Sequence, residues 1–215
     1  RYREASRLFG LYLAKFPFGS RRDVAAFMRD ASDHPPGEAD RKAREQAARR
    51  ERGNAIRVLV LENAGEIRVA SSSRIEVRNP SGGGVLSTIA PRQETRLRFD
   101  GGLLFIGGQP YPLAECLLSA GKGGMLRVNG TLYRGTWRIA ASGQGRLAAH
   151  NLVDLEEYLY GVVPKEMPPA WPDEALKAQA VVSRTFARYQ KEANAARDYD
   201  ICATTSSQVY GGVPA

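Results

Sequence analysis

From Ile56 onward the hydrophobic period of this chain is two, and near Leu155 it turns helical; that one switch limits the fold more than any other feature. The segments IRVLVLE, EIRVASS, RIEVRN, TRLRFD, LLFIGG, MLRVNG and TLYRGTWRIAA alternate apolar with polar residues, and Asn-Ala-Gly, Asn-Pro-Ser-Gly and Asp-Gly-Gly breaks separate them. Period two sends successive side chains to opposite faces, so these segments are predicted to form an antiparallel sheet with one face on the core and one in water. Strands followed by helices give an α+β class: an antiparallel β-rich region with helices packed on it, and a helical N-terminal appendage, rather than a doubly wound sheet. GQGRLA, residues 143–148, fits the dinucleotide pattern G-x-G-x-x-A. No capped helix and no βαβ unit accompany it, so it is read as a hairpin turn.

The first 53 residues are of a different kind. Tyr2 to Phe16 and Asp23 to Ala31 read as two short helices joined around Phe16-Pro17-Phe18-Gly19, a pair that resembles a tetratricopeptide hairpin. One such hairpin cannot bury its own apolar face and is expected to pack on the main domain or on material outside this chain. Ser32 to Asp40 is a turn-rich break, followed by a charged helix to about Arg52. Two regions are therefore expected, a helical segment over 1–53 and the main domain over 54–215.

At 215 residues with 43% hydrophobic composition, the chain can bury a sizeable core, and disorder is not the default reading. No run approaches the roughly 18 apolar residues of a membrane-spanning helix. Because the chain opens on Arg1 rather than methionine, a targeting segment is expected to have been removed or to lie outside it. The net charge of +8 invites a polyanion. Much of that excess lies in Arg41 to Arg52, where six basic and two acidic residues leave +4, with the acids interrupting at helical spacing. Such a stretch fits a solvated helix face or tether better than a nucleic-acid recognition helix, so nucleic acid is not expected as a partner; an anionic envelope surface or wall polymer would be attracted equally. Cys116 and Cys202 stand far apart and give neither a disulfide framework nor metal-ligand spacing, and His34 and His150 are isolated. No cofactor and no metal are expected.

Chemistry is expected around Glu166. Pro164, Pro168 and Pro169 surround it, so its backbone is predicted to be stiff and non-helical, an elbow able to aim a side chain. Local sequence alone favours a proline-rich loop with a solvated carboxylate. The helix that follows is well specified, with Pro172 at its first position and Asp173 and Glu174 in its first turn, where the dipole favours them. Leu176, Ala180, Ser183 and Ala187 share one face, predicted to pack on the sheet, with Arg184 at its edge within reach of a groove or of solvent. The loop ATTSSQVYGG, Ala203 to Gly212, offers hydroxyl, amide and phenol groups; Gln208 and Tyr210 suit sugar hydroxyls, and a turn satisfying its own backbone fits the same composition.

NLVDLEEYLYGVVPKEMPPAWPDEALKAQAVVSRTFARYQ followed by YDICATTSSQVYGG resembles the SpoIID (stage II sporulation protein D) and LytB family of cell-wall proteins. The likeness is dense from Asn151 to Gly212 and looser from Asn54. It implies lytic transglycosylation of peptidoglycan outside the cytoplasmic membrane: the bond between N-acetylmuramic acid and N-acetylglucosamine is cut without water, on glycan strands stripped of stem peptides, leaving a 1,6-anhydro end. Glu166 would be acid and then base, and the arginine of the R-T pair, Arg184, accompanies it in the family. A protonated Glu166 is required, and burial beside Met167, Pro168, Pro169 and Trp171 is expected to outweigh a helix dipole worth about 0.3 to 1 kcal/mol. The family often carries His-Cys where Ser206 and Ser207 stand, and some members bind zinc there; Cys202 lacks that company, so no zinc is expected. The family domain ordinarily continues past the QVY-G loop, so an unfinished groove is expected at Ala215. A non-catalytic LytB-like module that binds the wall and enhances an amidase is the alternative.

Overall fold

The computed structural model describes residues 53–80, 84–121 and 123–213. Apart from Gly53, the expected helical segment over 1–53, with its hairpin and its charged helix, lies outside the described residues.

The period-two region folds as predicted, into strands, and the α+β class holds. In chain order the strands are β1 (Ala55–Ala64), β2 (Ile67–Ala70), β3 (Ile75–Arg78), β4 (Val85–Ile89), β5 (Thr95–Asp100), β6 (Leu103–Ile106) and β7 (Gln109–Tyr111). They continue with β8 (Glu115–Ser119), β9 (Leu126–Val128), β10 (Thr131–Tyr133), β11 (Thr136–Ala141) and β12 (Leu147–Asp154). Two helices follow, α1 (Leu155–Glu166) and α2 (Asp173–Ala193), and then the short β13 (Ile201–Cys202). The strands form a seven-stranded sheet in the order β13-β1-β12-β11-β8-β3-β4 and a six-stranded sheet in the order β10-β9-β2-β5-β6-β7. Each recorded pairing is antiparallel except β1 with β13, whose chain has returned through both helices. Buried side chains from both sheets and both helices join in one apolar cluster.

TLYRGTWRIAA, read from sequence as one strand, is two strands in different sheets. Gly135, at φ +82°, turns the chain between them, and a Cβ there would lie 2.3 Å from the Leu152 carbonyl oxygen, so any side chain would force β12 away. The 143–148 segment is the hairpin turn expected of it. The Ser142 N–H donates to the Arg146 carbonyl and the Arg146 N–H to the Gly143 carbonyl, each at 2.9 Å, and Ala141 pairs with Leu147.

α1 starts on Asp154, whose carboxylate accepts from the Glu156 N–H at 2.8 Å, with Glu156 and Glu157 in the first turn where the helix dipole favours acids. Its buried stripe is Leu155, Tyr158, Leu159 and Val162, the i, i+3, i+4, i+7 spacing of one helical face. α2 opens after Pro172 with Asp173 and Glu174 in its first turn and no side-chain cap. Ser183 and Ala187 of its predicted face are buried together with Val182 and Phe186. They pack chiefly on α1, with lesser contact to β1 and β13, so the small residues serve helix against helix rather than helix against sheet.

Candidate functional site

Glu166 is the last residue of α1, not part of a non-helical elbow. Pro164 sits inside the helix; its missing N–H and ring disfavour that position locally, but the packed stripe of α1 carries the helix two residues further. Only at Met167, extended at φ −144° and ψ 136°, does the chain leave, and the Met167 N–H still bonds the Val163 carbonyl at 3.0 Å. Glu166 therefore stands at the negative end of its own helix, the opposite sign from the following helix that sequence reading set beside it. The carboxylate is half-buried, and its Oε1 accepts the main-chain N–H of Val209 at 2.9 Å. Of the expected apolar shelter, Met167 is buried and Trp171 half-buried, whereas Pro168 and Pro169 are exposed.

The loop that carries Val209 is held by its two neighbours. Gln208 is 3% exposed and its Oε1 accepts from the Tyr158 hydroxyl at 3.2 Å. Tyr210 is 6% exposed and its hydroxyl donates to Asn151 Oδ1 at 2.8 Å. Asn151, fully buried on β12, uses its amide to donate to the Arg134 and Thr136 carbonyls at 2.9 and 3.1 Å. The sequence reading set Gln208 and Tyr210 against sugar hydroxyls; burial and these partners instead make them internal struts that fix the Val209 N–H on Glu166. Burial pushes both phenols up, most strongly for Tyr158, which also feels Tyr210, Glu166 and Cys202. Both tyrosines thus remain donors. Trp137, Tyr133, Tyr210 and Tyr158 form a chain of rings with centroids 4.9, 5.6 and 4.9 Å apart, joining both sheets, the loop and α1 under the site.

Arg184 is engaged elsewhere on α1. Its Nε and Nη2 donate to the two oxygens of Glu156 at 2.7 and 2.6 Å, a bidentate pair at the first turn of the helix, three turns from Glu166. The hydrogen bond from Arg184 holds the Glu156 carboxyl below its ordinary value. Cys202 lies among hydroxyls, with Ser206 at 3.1 Å, Ser207 at 3.2 Å and Thr204 at 3.4 Å from Sγ. Burial raises the thiol, but the hydrogen bonds of Ser206, Ser207 and Thr204 together outweigh it and lower it overall.

A cleft of about 460 Å³ opens near the end of α1, walled by Pro164 and Lys165 of α1, Arg127 of β9, Thr131 and Leu132 of β10 and the 211–213 stretch, with Glu166 itself outside its lining. The walls are stitched by Gly211 N–H to the Gly161 carbonyl at 3.0 Å and Val213 N–H to the Leu132 carbonyl at 2.7 Å. At Gly161 an added Cβ would lie 2.5 Å from both the Gly212 carbonyl and the Tyr210 ring, so helix and loop meet here only because residue 161 has no side chain. Sequence reasoning did not single out Asn151, Tyr158, Gly161, Lys165 or Arg127. The EYLYGVV lead-in that contains Tyr158 and Gly161 was the available signal, and its uneven spacing of aromatic and glycine marks a close helix contact.

Comparisons with known proteins bear on the same segment. Residues 143–215 match the family model described as SpoIID, stage II sporulation protein. An uncharacterised protein of Brachyspira hyodysenteriae is 42% identical over 86 residues, 40% of this chain and 23% of that protein. The amidase enhancer of Bacillus subtilis is 48% identical over 54 residues, 25% of this chain and 7% of that protein. Stage II sporulation protein D of Bacillus subtilis is 59% identical over 34 residues, 16% of this chain and 10% of that protein. The chain spans less than a quarter of the length of each. No solved structure matches it. The segment that carries Glu166, α2 and the 203–213 loop is thus similar to the SpoIID family model and to these relatives.

Proposed function

We propose that this domain is an extracytoplasmic lytic transglycosylase that cuts peptidoglycan glycan strands, with Glu166 as its acid and base. The observation that carries this reading is a half-buried carboxylate at a helix end, fixed by a main-chain N–H at 2.9 Å, on a helix whose preceding residues Pro164 and Lys165 line a cleft of about 460 Å³. That volume lies within the range of small-ligand sites. Protonated, Glu166 gives its proton to the glycosidic oxygen as the C–O bond breaks and positive charge grows on the muramyl C1 and ring oxygen. Deprotonated, it takes the proton of the same sugar's C6 hydroxyl as that oxygen bonds to C1 and closes the anhydro ring. Atoms balance without water, and no second carboxylate is required because the substrate supplies the nucleophile. A saccharide bound over Glu166 would displace water from the exposed side of the carboxyl and complete the shelter that Pro168 and Pro169 leave open. Arg184, paired with Glu156 at the far end of α1, acts in this scheme by orienting the helix on which Glu166 sits.

A second reading has specific support. One relative is named an amidase enhancer, and the family arginine is neutralised by Glu156, which fits a wall-binding module that assists an amidase. Incubation with glycan strands freed of peptide, followed by mass spectrometry, separates the two. Anhydro-ended fragments that disappear in Glu166→Gln support the enzyme; intact strands that bind the protein support the module; a fully active Glu166→Gln protein removes Glu166 from the chemistry.

A further inference from the structure

We infer that four guanidiniums on the solvent face of the six-stranded sheet, those of Arg127, Arg68, Arg96 and Arg98, bind a linear phosphodiester-linked polymer without bases, such as a polyol phosphate of the cell wall. This goes beyond the reading of Glu166 and does not depend on it. The strand register sets the four in one diagonal. Arg68 of β2 stands directly opposite Arg96 of β5, and Arg127 of β9 is opposite Ala70, two residues along β2 and so on the same face as Arg68. Arg98, two residues beyond Arg96, is opposite Phe105 of β6, and its guanidinium lies 4.2 Å from the centre of that ring. The alternate residues Ile67, Val69, Leu97 and Val128 are buried, so all four arginines share the wet side. The band runs from a hollow of about 440 Å³ lined by Arg96, Arg98 and Phe105 to Arg127 on the wall of the cleft near the end of α1.

This arrangement costs the fold stability. Like charges directly opposite each other on one face of a sheet repel, and Arg68 and Arg96 form such a pair. Guarding an exposed edge does not account for it, since β2 and β5 are interior strands. Nearby acids neutralise the band incompletely. Glu66 is 3.8 Å from Arg96 and Asp100 is 3.9 Å from Arg98, both beyond hydrogen-bond length, and Arg68 and Arg127 pair with no carboxylate among the described residues. By the register the acids flank the diagonal, Glu94 on one side and Glu66 and Asp100 on the other. That pattern selects the shape of the anion. A planar anionic membrane would cover the flanking carboxylates together with the band, and none of the large exposed apolar residues among those described, Val85, Tyr160, Val181 and Tyr189, lies on this sheet to enter it. A narrow chain can follow the diagonal between the acids. A nucleic acid would seek aromatic rings on which to stack its bases, and Phe105 is already covered by Arg98. What fits is a chain of spaced phosphates, each taken by a guanidinium fork.

Calorimetric titration of the full chain with lipid-free poly(glycerol phosphate), over a series of salt concentrations, tests this. Four phosphate contacts are expected to give a slope of about −3 in log affinity against log salt. Arg68→Gln or Arg96→Gln should weaken binding about tenfold at low salt and make the slope shallower by about 1. Arg68→Gln should also leave the melting temperature unchanged or raised, because the like-charge pair is gone, and Arg68→Glu should raise it further while weakening binding about a hundredfold. Arg188→Gln, which removes the same charge from an exposed place on α2, should keep affinity within about twofold of the parent, as should Glu166→Gln. Absence of binding, or sheet variants that bind as tightly as Arg188→Gln, overturns the inference and leaves the glycan reading standing. A lowered melting temperature in Arg68→Gln assigns the band to the fold and overturns it too. Affinity for phosphatidylglycerol vesicles or for single-stranded DNA that matches or exceeds affinity for the polymer overturns the polymer as partner.

Discussion

Two carboxylates organise the C-terminal part of this chain, and they are held in opposite ways. Asp200 is fully buried where the chain returns to β1, and Arg57 meets it three times, through its main-chain N–H at 2.8 Å, Nε at 3.1 Å and Nη2 at 2.5 Å. The same guanidinium reaches the carbonyls of Arg197 at 2.6 Å and Asn194 at 3.3 Å, so one side chain ties the end of α2 and β13 to the sheet edge. Glu166 is half-buried and takes a neutral main-chain N–H at the end of its helix. An ion pair whose carboxylate is sealed from water locks a chain segment and leaves no room for a ligand at that carboxylate. A half-buried carboxylate set by a backbone amide is aimed without being sealed. The contrast separates a part of the molecule that makes the fold from a part that makes use of it.

Substitutions at the two sites should therefore fail differently. Glu166→Gln keeps an oxygen to accept from Val209 and is expected to leave the melting temperature unchanged while lowering anhydro-product formation by at least about 10²-fold, the scale of lost general acid–base catalysis. Arg57→Leu should do the reverse. It takes the guanidinium from buried Asp200 while leaving the main-chain N–H, a loss of about 3 kcal/mol, or roughly 10 °C in melting temperature for a chain of this size, with turnover per folded molecule preserved at low temperature. Calorimetry and the product assay on both variants check the pair together. If Arg57→Leu loses turnover without losing stability, the division between the two regions breaks.

Tyr210→Phe sharpens the comparison because Tyr210 belongs to the site by position and to the fold by its contacts. Removing the hydroxyl leaves Asn151 Oδ1 without that donor in a fully buried place, at a cost of about 1 to 3 kcal/mol. Stability should fall by that amount, whereas the KM for glycan should stay within about twofold, the residue having no direct hold on the sugar. A large rise in KM with intact stability would return Tyr210 to the substrate-contact role that its place in a polar loop suggests.

That residue also shows where sequence stops being informative. Strands such as Ile67–Ala70 and Thr95–Asp100 are legible because one face is wet, and alternation reports it. β12 is not, because Leu147 to Asn151 are buried in succession at the middle of the seven-stranded sheet and carry no period to read. β4, β7 and β8 are three to five residues long, too short for a pattern. Glu166 could be found from its motif, but its place on a helix could not, since Pro164 argues locally against a helix that tertiary packing nevertheless imposes. The polar loop was visible as polar; that Gln208 faces Tyr158, fifty residues earlier, is a property of the fold alone. Likewise nothing local to Arg184 points to Glu156.

The smallest expected effect tests the fold side of the comparison by pH. His150 on β12 is buried, its Nδ1 has no hydrogen-bond partner among the described residues, and its ring stacks on Tyr199 at 6.4 Å. Burial lowers its pKa first, the Arg138 guanidinium adds to this with a smaller push from Arg57, and Asp198 and Glu115 oppose them. The folded state therefore keeps the ring neutral at a pH where the unfolded chain, titrating near about 6.5, takes up a proton. The unfolded state then binds more protons, so this contribution to stability is fully present above about pH 6.5 and is lost as pH falls from there toward the folded value. The Glu156 carboxyl, held low by Arg184, loses its contribution only below the ordinary carboxylate range, so a melt series between pH 7.5 and 5.5 isolates the histidine. The parent's melting temperature should fall over that interval. His150→Phe keeps an aromatic ring against Tyr199 and should flatten the curve; an identical slope in the variant would mean that another group carries the dependence.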